Sequence, residues 1–201
     1  INAFQFGISF NPTTKNGLLA WRNNNSSSRL SLSAISMNNN STYPYFSTPS
    51  LYSGFGSAIY FPNITYDSDE GSFIVSFANS SYSQYVGAVK VNESATTSPS
   101  ITSQGSPINW TAVTLNSNAA SLVYNPSWGK TLIQGGSATA LLTTTGTTVS
   151  AGAVQSGIAQ GTSTFAYDPI SQGIIAFSSS NVTFLITESG GTLTKSSNTS
   201  Y

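Results

Sequence analysis

Apolar residues in this chain alternate with small polar ones or gather in short β-branched and aromatic blocks, and they nowhere hold helical spacing. Phe4, Phe6, Ile8 and Phe10 alternate with Gln5, Gly7 and Ser9, which is the period of an extended strand with one apolar face. Similar patterns predict strands over Gly17–Arg22, Arg29–Met37, Ser57–Phe61, Ser72–Ala78, Tyr82–Val91 and Asn109–Leu115. They continue over Ser121–Tyr124, Lys130–Gln134, Ser137–Thr143, Thr147–Val154, Thr164–Tyr167, Gly173–Phe177, Val182–Thr187 and Thr192–Lys195. Turn-forming Gly, Pro, Asn and Asp separate these segments at short intervals, so the chain is read as all-β.

A loose repeat runs through the pattern. Phe10-Asn11-Pro12 precedes Gly17, Tyr66-Asp67 precedes Gly71, Tyr124-Asn125-Pro126 precedes Gly129, and Tyr167-Asp168-Pro169 precedes Gly173. An apolar strand follows in every case. Asx side chains bond the following backbone, Pro presets φ and Gly takes a positive φ, so each unit encodes a turn between two strands. Any hairpin-rich protein reuses such turns, but four units of this kind also resemble the hairpin of YVTN-type β-propeller repeats. Their spacing is uneven, and the later strands of each unit share no motif.

Composition narrows the function. The 201 residues include no His, no Cys, six Lys/Arg and six Asp/Glu, while Ser, Thr and Asn make up roughly two-fifths of the chain. Without His there is no Ser-His-Asp arrangement, and without His or Cys there is no zinc site of the usual type. Asp67, Asp69 and Glu70 before Gly71 lack the spacing of an EF-hand loop and read as a solvated turn. Glu93, Asp168 and Glu188 are the carboxylates a glycosidase would have to use, yet nothing in their spacing pairs them. A Lys–Asn isopeptide from Lys15, Lys90, Lys130 or Lys195 is a remote option, and Trp21, Trp110 and Trp128 read as core residues before carbohydrate platforms. The expectation is a non-enzyme with no cofactor and no metal. Balanced, sparse charge argues against nucleic-acid binding, and no apolar run is long enough to span a bilayer. Eleven Phe, ten Tyr and three Trp supply enough buried area for a folded core and argue against disorder.

Acceptor triplets for N-linked glycans occur at Asn24, Asn25, Asn39, Asn40, Asn63, Asn79, Asn92, Asn109, Asn181 and Asn198, whereas Pro12 and Pro126 exclude Asn11 and Asn125. Chance alone would give about six such triplets in this composition. Most of them stand beside Ser-, Pro- or Asp-rich breaks, where a glycan is tolerated, so N-linked glycans are expected on at least some. Ile1, with neither Met nor a charged leader, fits a secreted chain that has lost a signal peptide.

The first strand poses a separate question, because four large apolar groups in strict alternation have to be covered. They are either the opening strand of the chain's own sheet or a donor strand that completes the sheet of a neighbouring subunit. A Cys-free, Ser/Thr/Asn-rich chain, dense in acceptor sites and opening on this strand, resembles the subunits of archaeal threads. Those are extracellular filaments of glycosylated β-rich subunits joined by donor-strand complementation. The resemblance implies an Ig-like or pilin-type β-sandwich, with residues 1–11 as donor strand and residues 12–201 as one β-rich domain. It implies Phe4, Phe6, Ile8 and Phe10 as groove-filling residues, copies of the same chain as partners, and a cell-surface filament serving adhesion. The alternative is a discrete secreted domain that binds glycans or proteins, such as a small four-bladed propeller. The two readings part at the first strand: pairing within its own subunit removes the mechanistic support for the filament.

Overall fold

The computed structural model describes residues 5–24, 28–37, 44–53, 55–56, 58–110, 120–158, 163–178, 180–197 and 199–200. Among them there is no α-helix, and the strands form four antiparallel sheets that follow one another along the chain, none closed into a barrel. Sheet 1 contains β1 (Phe6–Phe10), β2 (Asn16–Asn23) and β3 (Arg29–Ser36), with β4 (Tyr45–Phe46) and β5 (Ser50–Leu51) both on β3. Sheet 2 contains β6 (Ile59–Asp67), β7 (Ser72–Asn79) and β8 (Gln84–Val91), with β9 (Ile101–Gln104) and β10 (Ile108–Asn109) on β8. Sheet 3 contains β11 (Ser121–Asn125), β12 (Lys130–Gly135) and β13 (Ala138–Thr145), with β14 (Thr148–Ala151) and β15 (Gln155–Ser156) on β13. Sheet 4 contains β16 (Ser163–Asp168), β17 (Gly173–Ser178) and β18 (Val182–Ser189), with β19 (Thr192–Lys195) and β20 (Thr199–Ser200) on β18.

The repeated Asx turn joins the first two strands of every sheet: Asn11, Asp67, Asn125 and Asp168 each close that hairpin. Counting from these residues puts the four sheets in one frame. The seventh residue after each is Leu18, Ile74, Leu132 or Ile175, and the eighth is Leu19, Val75, Ile133 or Ala176. Neighbouring residues of a strand face opposite sides, so the two sets define opposite faces. Leu18 packs in the core between sheets 1 and 2, Ile74 in the core between sheets 2 and 3, and Leu132 in the core between sheets 3 and 4. Val75, Ile133 and Ala176 enter the same three cores from the other side. Each sheet thus presents one face forward to its successor and one backward to its predecessor. Face-to-face packing across apolar cores is compatible with a β-sandwich.

The leading strands β1, β6, β11 and β16 lie side by side in that order. The approach of β1 to β6 is close: a Cβ on Gly7 would sit 3.0 Å from the Asn63 Cα and 3.0 Å from the Pro62 carbonyl oxygen. The first core is aromatic, with Phe77 between Tyr52, Phe55 and Tyr85 at centroid distances of 5.8, 4.8 and 5.9 Å. The Tyr52 hydroxyl keeps a partner there by donating to the Gly105 carbonyl at 2.8 Å.

Most predicted strands coincide with observed ones to within two residues. The segment Ser57–Phe61 does not, because β6 continues through Pro62 to Asp67. A register shift between Tyr60 and Asn63 takes Pro62 out of the ladder, so its missing N–H costs no hydrogen bond. The short outer strands β4, β5, β9, β15 and β20 lack a full period and were not among the predicted strands. Of the predicted Asn109–Leu115 strand, residues 111–115 lie outside the described residues.

Two substitutions test this packing. Phe77→Ala empties the centre of the first core and is expected to cost about 3–5 kcal/mol, measured by chemical denaturation. Gly7→Val drives a branched side chain into the β6 backbone and is expected to lower the melting temperature and to expose β1 amides to hydrogen exchange. Wild-type protection of β1 in that variant would mean that the close approach to β6 does not hold the strand.

Candidate functional site

The two ends of the sheets differ chemically. In an antiparallel meander, the turns after the first and third strands fall at one end and the turn after the second falls at the other. All six Asp and Glu residues belong to the first end: Asp67, Asp69, Glu70 and Asp168 follow leading strands, while Glu93 and Glu188 follow third strands. Each sheet uses this end to bind the next. Asn11 Nδ2 donates to the Tyr66 hydroxyl at 2.7 Å and to Glu93 Oε2 at 2.9 Å, and Asn16 Nδ2 donates to the Glu93 carbonyl at 2.8 Å. Thr14 donates its hydroxyl to the same Glu93 carboxylate. Glu70 Oε2 accepts from the Gly146 amide at 2.8 Å, and Asn125 Nδ2 donates to the Gln172 carbonyl at 3.0 Å. The Ser127 and Tyr167 hydroxyls bond at 2.8 Å, and Lys130 pairs with Glu188 at 2.9 Å.

These contacts shift the titrations. Burial, reinforced by the Glu93 charge, pushes the Tyr66 hydroxyl up to about 12. Burial also raises Asp67, opposed by the backbone amides of Glu70 and Asp69. Lys130 holds Glu188 below its ordinary range, and the Ser171 hydroxyl and the Ile170 amide do the same for Asp168. Every one of these carboxylates closes a turn or joins two sheets. Glu93 follows β8, Asp168 is the last residue of β16, and Glu188 is the next-to-last residue of β18.

The opposite end, between sheets 1 and 2, carries a half-exposed aromatic cluster. Tyr60 and Phe61 lie at the β6 bulge, and Tyr82 lies in the turn before β8. Ring centroids are 6.1 Å apart for Tyr60–Phe61 and 5.9 Å for Tyr60–Tyr82. The Arg22 guanidinium stacks 4.4 Å above the Tyr60 centroid, and its Nη2 donates to the Ser28 hydroxyl at 3.0 Å. Among the described residues its Nε–H has no partner. Phe61 and Tyr82 hold φ of 52° and 59°, a left-handed region that bulky side chains rarely occupy. The Phe61 amide donates to Gln5 Oε1 at 2.8 Å, which steadies that conformation. Strained backbone beneath exposed rings is the usual sign that side-chain placement was selected over local stability. Chemically, the cluster offers ring faces for stacking and a cation.

Of the four predicted donor-strand residues, Phe4 lies outside the described residues. The other three are in β1, which pairs in register with β2 of its own sheet: Phe6 opposite Trp21, Ile8 opposite Leu19, Phe10 opposite Gly17. Their side chains lie on the backward face and are exposed by 63%, 47% and 36%, so the described residues do not supply the covering the pattern demands. Among the acceptor asparagines, Asn25, Asn39, Asn40 and Asn198 lie outside the described residues. Asn24 and Asn181 are exposed in second-to-third-strand turns, at the aromatic end. Asn79 closes another such turn by accepting from the Ser81 and Ser83 amides at 3.0 and 2.8 Å. Asn109 ends β10, and Asn92 turns the chain at the carboxylate end by accepting from the Ser94 amide at 3.1 Å. Asn63 differs from these. Its Nδ2 donates to the Ala120 carbonyl at 3.1 Å across the sheet 2–sheet 3 boundary. Trp110 is buried beside the second core, and Trp128 packs on the third.

Arg22, Tyr60, Phe61 and Tyr82 are the residues that pattern reading missed. Their one sequence signal was the Phe61-Pro62 pair, which reads as a strand end rather than as a bulge that turns two aromatics outward.

Tyr66→Phe deletes the hydroxyl that Asn11 reaches and is expected to cost about 1 kcal/mol by denaturation. Asp67→Asn is expected to raise the melting temperature at neutral pH, because the amide keeps the turn acceptor without a buried charge. Asp67 has a raised folded-state pKa, so the wild type is relatively strongest in acid and loses that contribution as pH rises through the raised value. The advantage of the variant should therefore shrink toward acid, and an advantage independent of pH would mean that the carboxylate is not desolvated. Compared with known proteins, the chain matches no family model and no curated protein.

Proposed function

We propose that the chain is a non-catalytic carbohydrate-binding module built from propeller-type sheets, acting outside the cell and itself bearing N-linked glycans. The observation that carries this reading is the Tyr60–Phe61–Tyr82 cluster with Arg22 at the strained β6 bulge. Aromatic faces stack on the C–H faces of sugars, while Arg22 can donate to hydroxyls. The propeller-type reading draws on the sheet plan: four meanders in one frame, each opened by the same turn, with leading strands adjacent in chain order. Glycosylation, and secretion with it, draws on acceptors in three turns at the aromatic end.

A glycan array probed with the labelled chain tests the binding reading. Tyr60→Ala and Tyr82→Ala are expected to weaken the signal about tenfold, equivalent to about 1.4 kcal/mol. No glycan bound, or binding unaffected by either change, would overturn it. Peptide mapping of material from the native source should find glycans on Asn24, Asn79 or Asn181, with Asn63 the least occupied because its amide already serves Ala120.

The uncovered face of β1 favours a second reading, an adhesive filament, although in-register pairing of β1 with β2 of its own sheet removes the support for joining it by donor-strand complementation. Negative-stain electron microscopy decides it. Filaments that fall to monomers on deletion of residues 1–10 would support it, and discrete particles with or without the deletion would count against it.

A further inference from the structure

Successive sheets in this chain meet forward face to backward face, and among the described residues the forward face of sheet 4 and the backward face of sheet 1 have no sheet packed on them. On the forward face of sheet 4, Ile175 and Phe177 occupy the positions at which Leu18 and Ala20 of sheet 1 enter the first core. Leu18 and Ala20 are fully buried, whereas Ile175 and Phe177 are exposed by 40% and 49%. On the backward face of sheet 1, Ile8 stands where Ile64, Leu122 and Phe165 stand in sheets 2, 3 and 4, all three packed in inter-sheet cores. Phe10 likewise stands where Tyr66, Tyr124 and Tyr167 stand. Phe6, Phe46 and Leu51 extend the same uncovered face, since they pair with Trp21, Ile35 and Ser31 of sheet 1.

We propose that the forward face of sheet 4 docks on the backward face of sheet 1 in a second copy, repeating between chains the packing that joins sheets within the chain. One molecule carries both halves of the contact, and each half matches internal interfaces position by position. Charge is complementary as well. Lys15 borders the hollow of about 300 Å³ that Phe10, Pro12 and Met37 form on the backward face. Asp168 borders the hollow on the forward face beside Ile175 and Leu185. Both groups belong to first-to-second-strand turns and so lie at the same end of their sheets. The fourth Asx turn fits this view: Asn11, Asp67 and Asn125 are buried under the following sheet, while Asp168 is half-buried.

The contact is heterologous, so it closes into a ring or propagates as an open chain. It also differs from the internal joints in one respect. Phe10 lacks the hydroxyl with which Tyr66 and Tyr167 reach the preceding turn, so that polar contact is missing from this joint. A reversible association is the expected result. The inference rests on the sheet frame and is independent of carbohydrate binding.

The test is sedimentation velocity on the full chain across low to high micromolar concentration, with Ile8→Asp and Phe177→Asp as variants. The wild type is expected to self-associate, and each variant to lose about tenfold or more in association. An equimolar mixture of the two should form a heterodimer, because each supplies one intact face. Both positions are exposed, so melting temperatures should match the wild type; Ile175→Thr replaces Phe177→Asp if that variant melts early. Donor-strand exchange is told apart by Phe177→Asp, which leaves β1 untouched. A wild type that stays monomeric at high concentration overturns the proposal. So does association that survives both substitutions, or a mixture of the variants that does not recombine.

Discussion

A sheet with large apolar residues on both faces must be covered twice. That requirement organises this molecule more than any single bond. Leucine, isoleucine, valine and aromatic side chains point to both sides of sheets 2 and 3, so neither sheet is stable without a neighbour on each side. The chain meets the demand by placing each new meander against the last. With few charges and no Cys, the chain has no disulfide to hold the sheets in order. The polar turns then fix how far each sheet slides on its neighbour, because an Asx or Tyr group at each boundary finds its partner in one register only.

Much of this was legible beforehand. The Asx turns, three of the four with Pro after the Asx, mark the first hairpin of all four sheets, and strict alternation marks β1, because both signals are local: turn chemistry and strand period do not depend on what packs above. The outer strands β4, β5 and β15, only two residues long, exist because a longer strand beside them offers free backbone groups, which no local window contains. The choice between sandwich-like and blade-like organisation was hidden for a similar reason. It depends on which face of one sheet meets which face of the next.

The candidate site was the least legible part. Tyr60, Phe61, Tyr82 and Arg22 come from three separate segments, and Pro62 would normally end a strand. The bulge overrides that preference and sets Phe61 in left-handed backbone, which Tyr82 adopts separately in the turn before β8. The glycan acceptors show the converse. Their motif is easy to read, but whether the amide is available depends on contacts such as that of Asn63 with Ala120, which the motif does not contain.

Every strand pairing in the described chain joins strands of one sheet, and no strand crosses into another. Backbone ordering therefore needs only short loops to close, and a finished meander can serve as the template on which the next one condenses. Such a chain can assemble progressively from either end as it emerges. It could also gain or lose a whole meander in evolution without re-registering a single ladder, so that length becomes a quantity selection can adjust independently of fold.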